Sequence, residues 1–168
     1  PFFMSFFETA PRAAAYSDVS IGIPVQIKIP SIHVDAPIEA VGLTSGSALG
    51  IPKDSANVAW HKLGPRPGEK GSAVITGHFG WNNNLPAVFD NLSLMQKGDL
   101  ISTEDGNGRM TEFVVRSIRI YGSDETIPEV FVSDDGKAHL NLITCTGVWD
   151  VLKQTYSQRL VVFAERKI

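Results

Sequence analysis

The chain has 168 residues, is 43 % hydrophobic and 20 % charged, and carries a formal net charge of −3. That length can bury one sizeable core, that composition excludes a disordered chain, and that charge gives no electrostatic reason to expect nucleic acid as a partner. A single cysteine excludes both an internal disulfide framework and a multi-thiolate metal site, and no run reaches the ~18 apolar residues of a membrane span.

Residues 1–20 read as a preamble to a domain over 21–168. Pro1-Phe2-Phe3-Met4-Ser5-Phe6-Phe7 is strongly apolar, Ala13-Ala14-Ala15 is small, and Pro11 limits any helix to a short piece. Three readings stand for it: the trailing end of a signal or anchor helix, a tag remnant, or a lid over an apolar groove. Val25 to Ile29 alternates apolar and polar residues and predicts a half-buried strand stopped by Pro30. Pro37 to Val41 predicts a second strand, with His33 exposed in the turn between them, and Ala56 to Trp60 a third. His61 to Gly68 is rich in Pro and Gly and reads as a turn, His61 being an exposed residue of it. Gly71 to Gly77 is apolar and small, and this fourth strand ends in Gly77-His78.

Leu85 to Leu92 opens with Pro86 and has apolar residues at helical spacing, which predicts one or two helical turns. Leu100 to Thr103 and Thr111 to Tyr121 predict a hairpin around the loop Asp105-Gly106-Asn107-Gly108. Gly122 to Gly136 is a polar loop carrying a short helix, with Ile127, Pro128, Val130 and Phe131 as an apolar patch. Ala138 to Cys145 is the next strand. His139 stands at its start, six residues from the thiol, or ~20 Å along an extended strand, too far to act with it. Val148 to Gln158 reads as a polar loop, and Leu160 to Glu165 as the last strand, with Arg159 just before it. Eight short strands with turn signals throughout predict an all-β, antiparallel-rich barrel or sandwich.

Three residues with reactive chemistry sit at the ends of predicted strands: His78, Cys145 and Arg159. A lone cysteine is first of all a small buried hydrophobe. Near an imidazolium, however, its thiol becomes a thiolate nucleophile, and the histidine can protonate a departing amine. A guanidinium that never loses its proton can hold a carbonyl or an oxyanion. Around them, Trp81 and Trp149 either rim the cleft or are merely part-buried, and Asp150 is a candidate third group to orient His78.

Asn141-Leu142-Ile143-Thr144-Cys145, Thr76-Gly77-His78 and the arginine opening Arg159-Leu160-Val161-Val162-Phe163-Ala164 occur in the order typical of the sortases, bacterial cysteine transpeptidases that attach proteins to the cell wall. The resemblance covers about Ile23 to Arg166. Val58-Ala59-Trp60-His61, Gly64-Pro65-Arg66-Pro67-Gly68 and Pro86-Ala87-Val88-Phe89 look most like class F members, with D and E less close. It implies a closed eight-stranded β-barrel with short helices in its loops. It implies an LPxTG-like sorting signal as substrate, with Cys145 as nucleophile, His78 as proton carrier and Arg159 as the oxyanion and substrate contact. The acceptor would be an amine of a peptidoglycan precursor or a pilin lysine. Thr144 is implied as a supporting or oxyanion contact, and Ile127, Val130 and Phe131 as groove wall or as packing under the loop. No cofactor and no metal are expected. The implied setting is the extracytoplasmic face of the membrane, reached by an N-terminal anchor outside this chain. Asn141 departs from the family's usual Thr, at a place that bears on strand packing or groove shape. Two other readings stay open: a cysteine peptidase that hydrolyses the same signal, and an inert barrel that only binds peptides.

Overall fold

The computed structural model describes residues 20–80 and 85–168. The preamble and Trp81 therefore lie outside the described residues. The strands are β1 Pro24–Ile29, β2 Val34–Val41, β3 Val58–His61, β4 Gly71–Gly77, β5 Leu100–Asp105, β6 Met110–Gly122, β7 Ala138–Asp150 and β8 Thr155–Arg166. They close into a barrel in the order β1-β2-β3-β4-β7-β8-β6-β5, with β5 returning to β1. Closure leaves no sheet edge within the barrel. Two pairs, β2 with β3 and β4 with β7, are parallel; the other six are antiparallel. The only regular helical pieces among the described residues are 3-10 turns at Pro30–Ile32, Leu92–Leu94 and Pro128–Val130.

Side-chain alternation sorts the wall into two faces. Ile27 and Ile29, Ala73 and Ile75, Leu140 and Leu142, and Leu160 and Val162 point into the barrel and join Phe113 and Val115 in one core. Their neighbours Val74 and Val161 point the other way, where Val130 of the β6–β7 loop covers them. The outer face of β4, β7 and β8 therefore carries a second, smaller apolar cluster, flanked by Leu49, Tyr121, Ile127, Ile143 and Phe163.

Three sequence expectations need correction. Residues 148–158 are not a loop: β7 runs to Asp150 and β8 begins at Thr155, so the two strands project as a hairpin. Arg159 is accordingly inside β8, opposite Cys145, and Cys145 is inside β7 rather than at its end. The exposed hairpin has no core face, so its residues show no apolar alternation. Residues 85–92 form turns rather than a helix; the apolar spacing marks Phe89 and Leu92, which plug the core. Asp90 secures this segment, its carboxylate accepting the backbone N–H of Gly80 (2.8 Å) and of Ala87 (3.0 Å). His61 is a half-buried residue of β3, not an exposed turn residue, and its Nδ1 is buried without a partner among the described residues. Burial pushes the His61 imidazole below the ordinary histidine range.

Asp105 closes β5 and organises the hairpin turn that follows. Its carboxylate accepts N–H groups from Gly22 (2.8 Å), Asn107 (2.9 Å) and Arg109 (3.0 Å). Burial alone would raise this carboxyl group, but the three donors and the Arg109 charge outweigh it and hold it below the ordinary carboxylate value. A lowered folded-state value gives stability that is complete above the unfolded-state value of about 3.9 and is lost as pH falls through the folded-state value. Asp105→Ala is expected to destabilise the protein by about 1–3 kcal/mol at pH 7. Urea unfolding should show the gap from wild type closing as pH drops below the carboxylate range.

Candidate active site

The pairing of three adjacent strands positions the reactive residues. In β4 and β7, the parallel ladder ends at Thr76 and Ile143, the Gly77 carbonyl then meets the Thr144 hydroxyl, and His78 follows Gly77 directly. Between β7 and β8, Cys145 pairs directly with Arg159. Cys145 and Arg159 fall on the outward-facing parity of the wall, the parity of Ile143 and Val161. Cys145 is a half-buried free thiol.

Each partner is held by a contact that the chain supplies locally. The His78 Nε2 lies 2.8 Å from the Pro52 carbonyl oxygen. A carbonyl can only accept, so Nε2 carries the proton and Nδ1 is the nitrogen left for proton exchange. Arg159 is braced on its own strand: Nη1 donates to the carbonyls of Tyr156 (3.0 Å) and Gln158 (2.9 Å), and Nη2 to Thr155 Oγ1 (2.9 Å). The fork is oriented while part of its donor set stays available to a ligand.

Thr144 faces the barrel interior, and its buried hydroxyl donates to the Gly77 carbonyl at 2.8 Å. It ties the end of β4 to β7 immediately before His78 and Cys145 in the sequence. Val130 is 1 % exposed and props the loop from within, while Ile127 is half-buried beside it. Phe131 is exposed and packs edge-on against His61, ring centroids 6.3 Å apart, toward the far end of the apolar patch. Asp150 does not reach for His78; its Oδ1 accepts the N–H groups of Leu152 (2.9 Å) and Lys153 (3.0 Å) and caps the hairpin turn. Trp149 does line a cavity of about 400 Å³ that His78 also lines.

Some contributors left no mark in the sequence. The Pro52 carbonyl is a backbone group that any residue would provide. Phe79 and Tyr156, which line the same cavity, look like ordinary aromatics until the hairpin is known. No group of three or more His, Cys, Asp or Glu side chains that could hold a metal occurs among the described residues.

A family model described as the Sortase domain matches residues 27–167. The chain belongs to the sortase family. Solved sortase structures share the fold. Sortase C-1 from Actinomyces oris is 29 % identical with a TM-score of 0.66, over 86 % of this chain and 75 % of that one. A lid mutant of sortase A from Corynebacterium diphtheriae is 27 % identical with a TM-score of 0.67, over 90 % and 73 %. The complex of Streptococcus agalactiae sortase C1 with MTSET is 27 % identical with a TM-score of 0.66, over 87 % and 69 %. No curated protein matches the chain. The sortase is thus a cysteine transpeptidase of cell-wall sorting signals, and its sequence holds one cysteine. LPXTG-type signals and amine acceptors are the substrates of the family, which works at the cell surface. No described helix is long and apolar enough to cross a membrane.

Asn141 finds its reason in the β6–β7 loop. It is 2 % exposed, and its Nδ2 donates to the Val130 carbonyl at 2.7 Å, fastening the Pro128–Val130 turn to β7. Asn141→Ala leaves that carbonyl without this donor and is expected to cost about 1–3 kcal/mol in chemical denaturation.

Proposed function

We propose that Cys145, His78 and Arg159 are the catalytic residues of this sortase. The observation that supports the reading is the direct pairing of Cys145 with Arg159 across β7 and β8, with β4, which His78 follows, as the other neighbour of β7. In the first half-reaction, the Cys145 thiolate attacks the carbonyl carbon of the threonine in an LPxTG-like signal. The Arg159 guanidinium holds the oxyanion. The carbon–nitrogen bond to glycine breaks as His78 gives its proton to the departing amine, leaving a thioester. In the second half, an amine attacks the thioester, His78 takes its proton, and the thiolate leaves. Protons and electron pairs balance over the cycle, and no cofactor enters.

We also infer class F membership, supported by the Trp60-His61 and Gly64-Pro65-Arg66-Pro67-Gly68 segments. In this fold the second of these is a brace: the Trp60 indole donates to the Pro65 carbonyl at 2.9 Å. Residues 21–168 form the catalytic domain in this reading. An N-terminal segment anchors it outside the cytoplasm, where a peptidoglycan precursor or a pilin lysine supplies the amine.

Cys145→Ala is expected to abolish cleavage of a fluorogenic LPxTG peptide while the melting temperature stays near wild type, since the change removes one sulfur from a half-buried position. Wild-type turnover in that variant would remove the thiol from the mechanism. Arg159→Lys keeps the charge but loses the planar fork, and should lower kcat/KM by about 10²-fold, the scale of losing an oxyanion donor. Near-normal rates would assign Arg159 a purely electrostatic part.

A further inference from the structure

The β7–β8 hairpin ends in an apolar tip turned to solvent. Of the five residues 148–152, four are large and hydrophobic, and all four are exposed: Val148, Trp149, Val151 and Leu152, the last at 95 %. Single exposed aliphatic residues are ordinary, but a contiguous group at a projecting end marks a contact surface.

The polar groups of the tip are turned back onto the protein. Asp150 Oδ1 accepts the N–H groups of Leu152 (2.9 Å) and Lys153 (3.0 Å). The Gln154 amide donates from Nε2 to the Val151 carbonyl (2.9 Å), and the Val148 N–H donates to Ser157 Oγ (3.0 Å). The Lys153 ammonium is drawn aside to Asp124 of the β6–β7 loop (3.1 Å). Each contact serves a group that water would otherwise serve, so the tip can leave water at a reduced cost. The side chains left pointing outward are the apolar ones.

Size and composition name the partner. A specific interface between folded proteins draws about 20–30 residues from each side. Four residues on a narrow hairpin fall far short of what a second copy of this chain or a globular partner needs. A bilayer needs no matching surface: its interfacial layer takes protruding aliphatic groups, with tryptophan at the headgroup level. Here Val151 and Leu152 form the end, and Trp149 stands behind them on β7, held edge-on by Tyr156 at 5.1 Å. The Asp124 and Asp150 carboxylates and the net charge of −3 give anionic headgroups nothing to attract, so the affinity is apolar in origin.

We propose that the hairpin tip is a membrane-docking element that inserts Val151 and Leu152 into the interfacial layer of a lipid bilayer. Docking also limits how far the thiol stands from the lipid. Cys145 is five residues before Asp150 on β7, at most ~17 Å of strand. The inference does not depend on the catalytic reading above.

The test uses the full chain and phosphatidylcholine vesicles. Leu152→Trp places a fluorophore at the tip. Its emission, taken as the difference from wild type, is expected to shift to the blue when vesicles are added and to be quenched by brominated acyl chains. The double variant Val151→Ser, Leu152→Ser should partition into the vesicles about tenfold less than wild type in a lipid titration. Its melting temperature should stay at the wild-type value, because neither residue belongs to a core cluster. Replacing part of the lipid with phosphatidylglycerol should not strengthen binding. Tip emission that ignores the vesicles, or equal partition of the double variant and wild type, overturns the proposal. So do two lipid-free results: self-association lost in the double variant assigns the tip to a second copy, and a raised KM for the LPxTG peptide assigns it to the substrate. Failure of the catalytic reading leaves the vesicle measurements standing.

Discussion

The parallel pairing of β4 with β7 is the constraint from which the site follows. A parallel ladder runs two strands toward the same side of the barrel, so the residue that follows β4 and the thiol carried by β7 both lie toward that side. The Thr144 hydroxyl on the Gly77 carbonyl fixes that meeting inside the wall, one residue before each partner. Antiparallel pairing with β8 then adds Arg159 across from the sulfur. Everything reactive rests on backbone hydrogen bonding and on a buried side-chain contact that cannot exchange with water.

The two faces of one wall separate the main core from the candidate site. Inward residues of β4, β7 and β8 belong to the main core, where close packing resists displacement. Outward residues of the same strands hold the reactive groups and the smaller apolar cluster. The loop that covers this cluster is tied down at Asn141 and through Lys153, whose ammonium reaches Asp124 at 3.1 Å. The second of these ties is an exposed ion pair and contributes little by itself. The buried amide is the firmer one.

Family membership was legible where residues contrast with their neighbours. His78, Cys145 and Arg159 stand out as polar groups against apolar strand runs, and their order matched the sortase family. Strands such as β1 and β5 were legible because one face is buried and the other is not, and β4 because both faces are buried in a short apolar run. Failures came where that contrast is absent. The projecting hairpin has no core face, so residues 148–158 carry no alternation to read. Phe89 and Leu92 stand three apart, as on a helix, yet they are two plugs on an irregular segment. The parallel registers depend on long-range pairing that no local pattern encodes. The Pro52 carbonyl that sets the tautomer of His78 belongs to the backbone, and side-chain identity cannot announce it.

The hairpin tip, residues 151–154, is exposed throughout. Lengthening a surface turn costs only a slowly growing closure entropy, and here it would displace no core side chain. The reach of β7 and β8 beyond the barrel can therefore be altered like the arm of a fixed tool. The pairing of Cys145 with Arg159 keeps its alignment while the projecting arm is refitted.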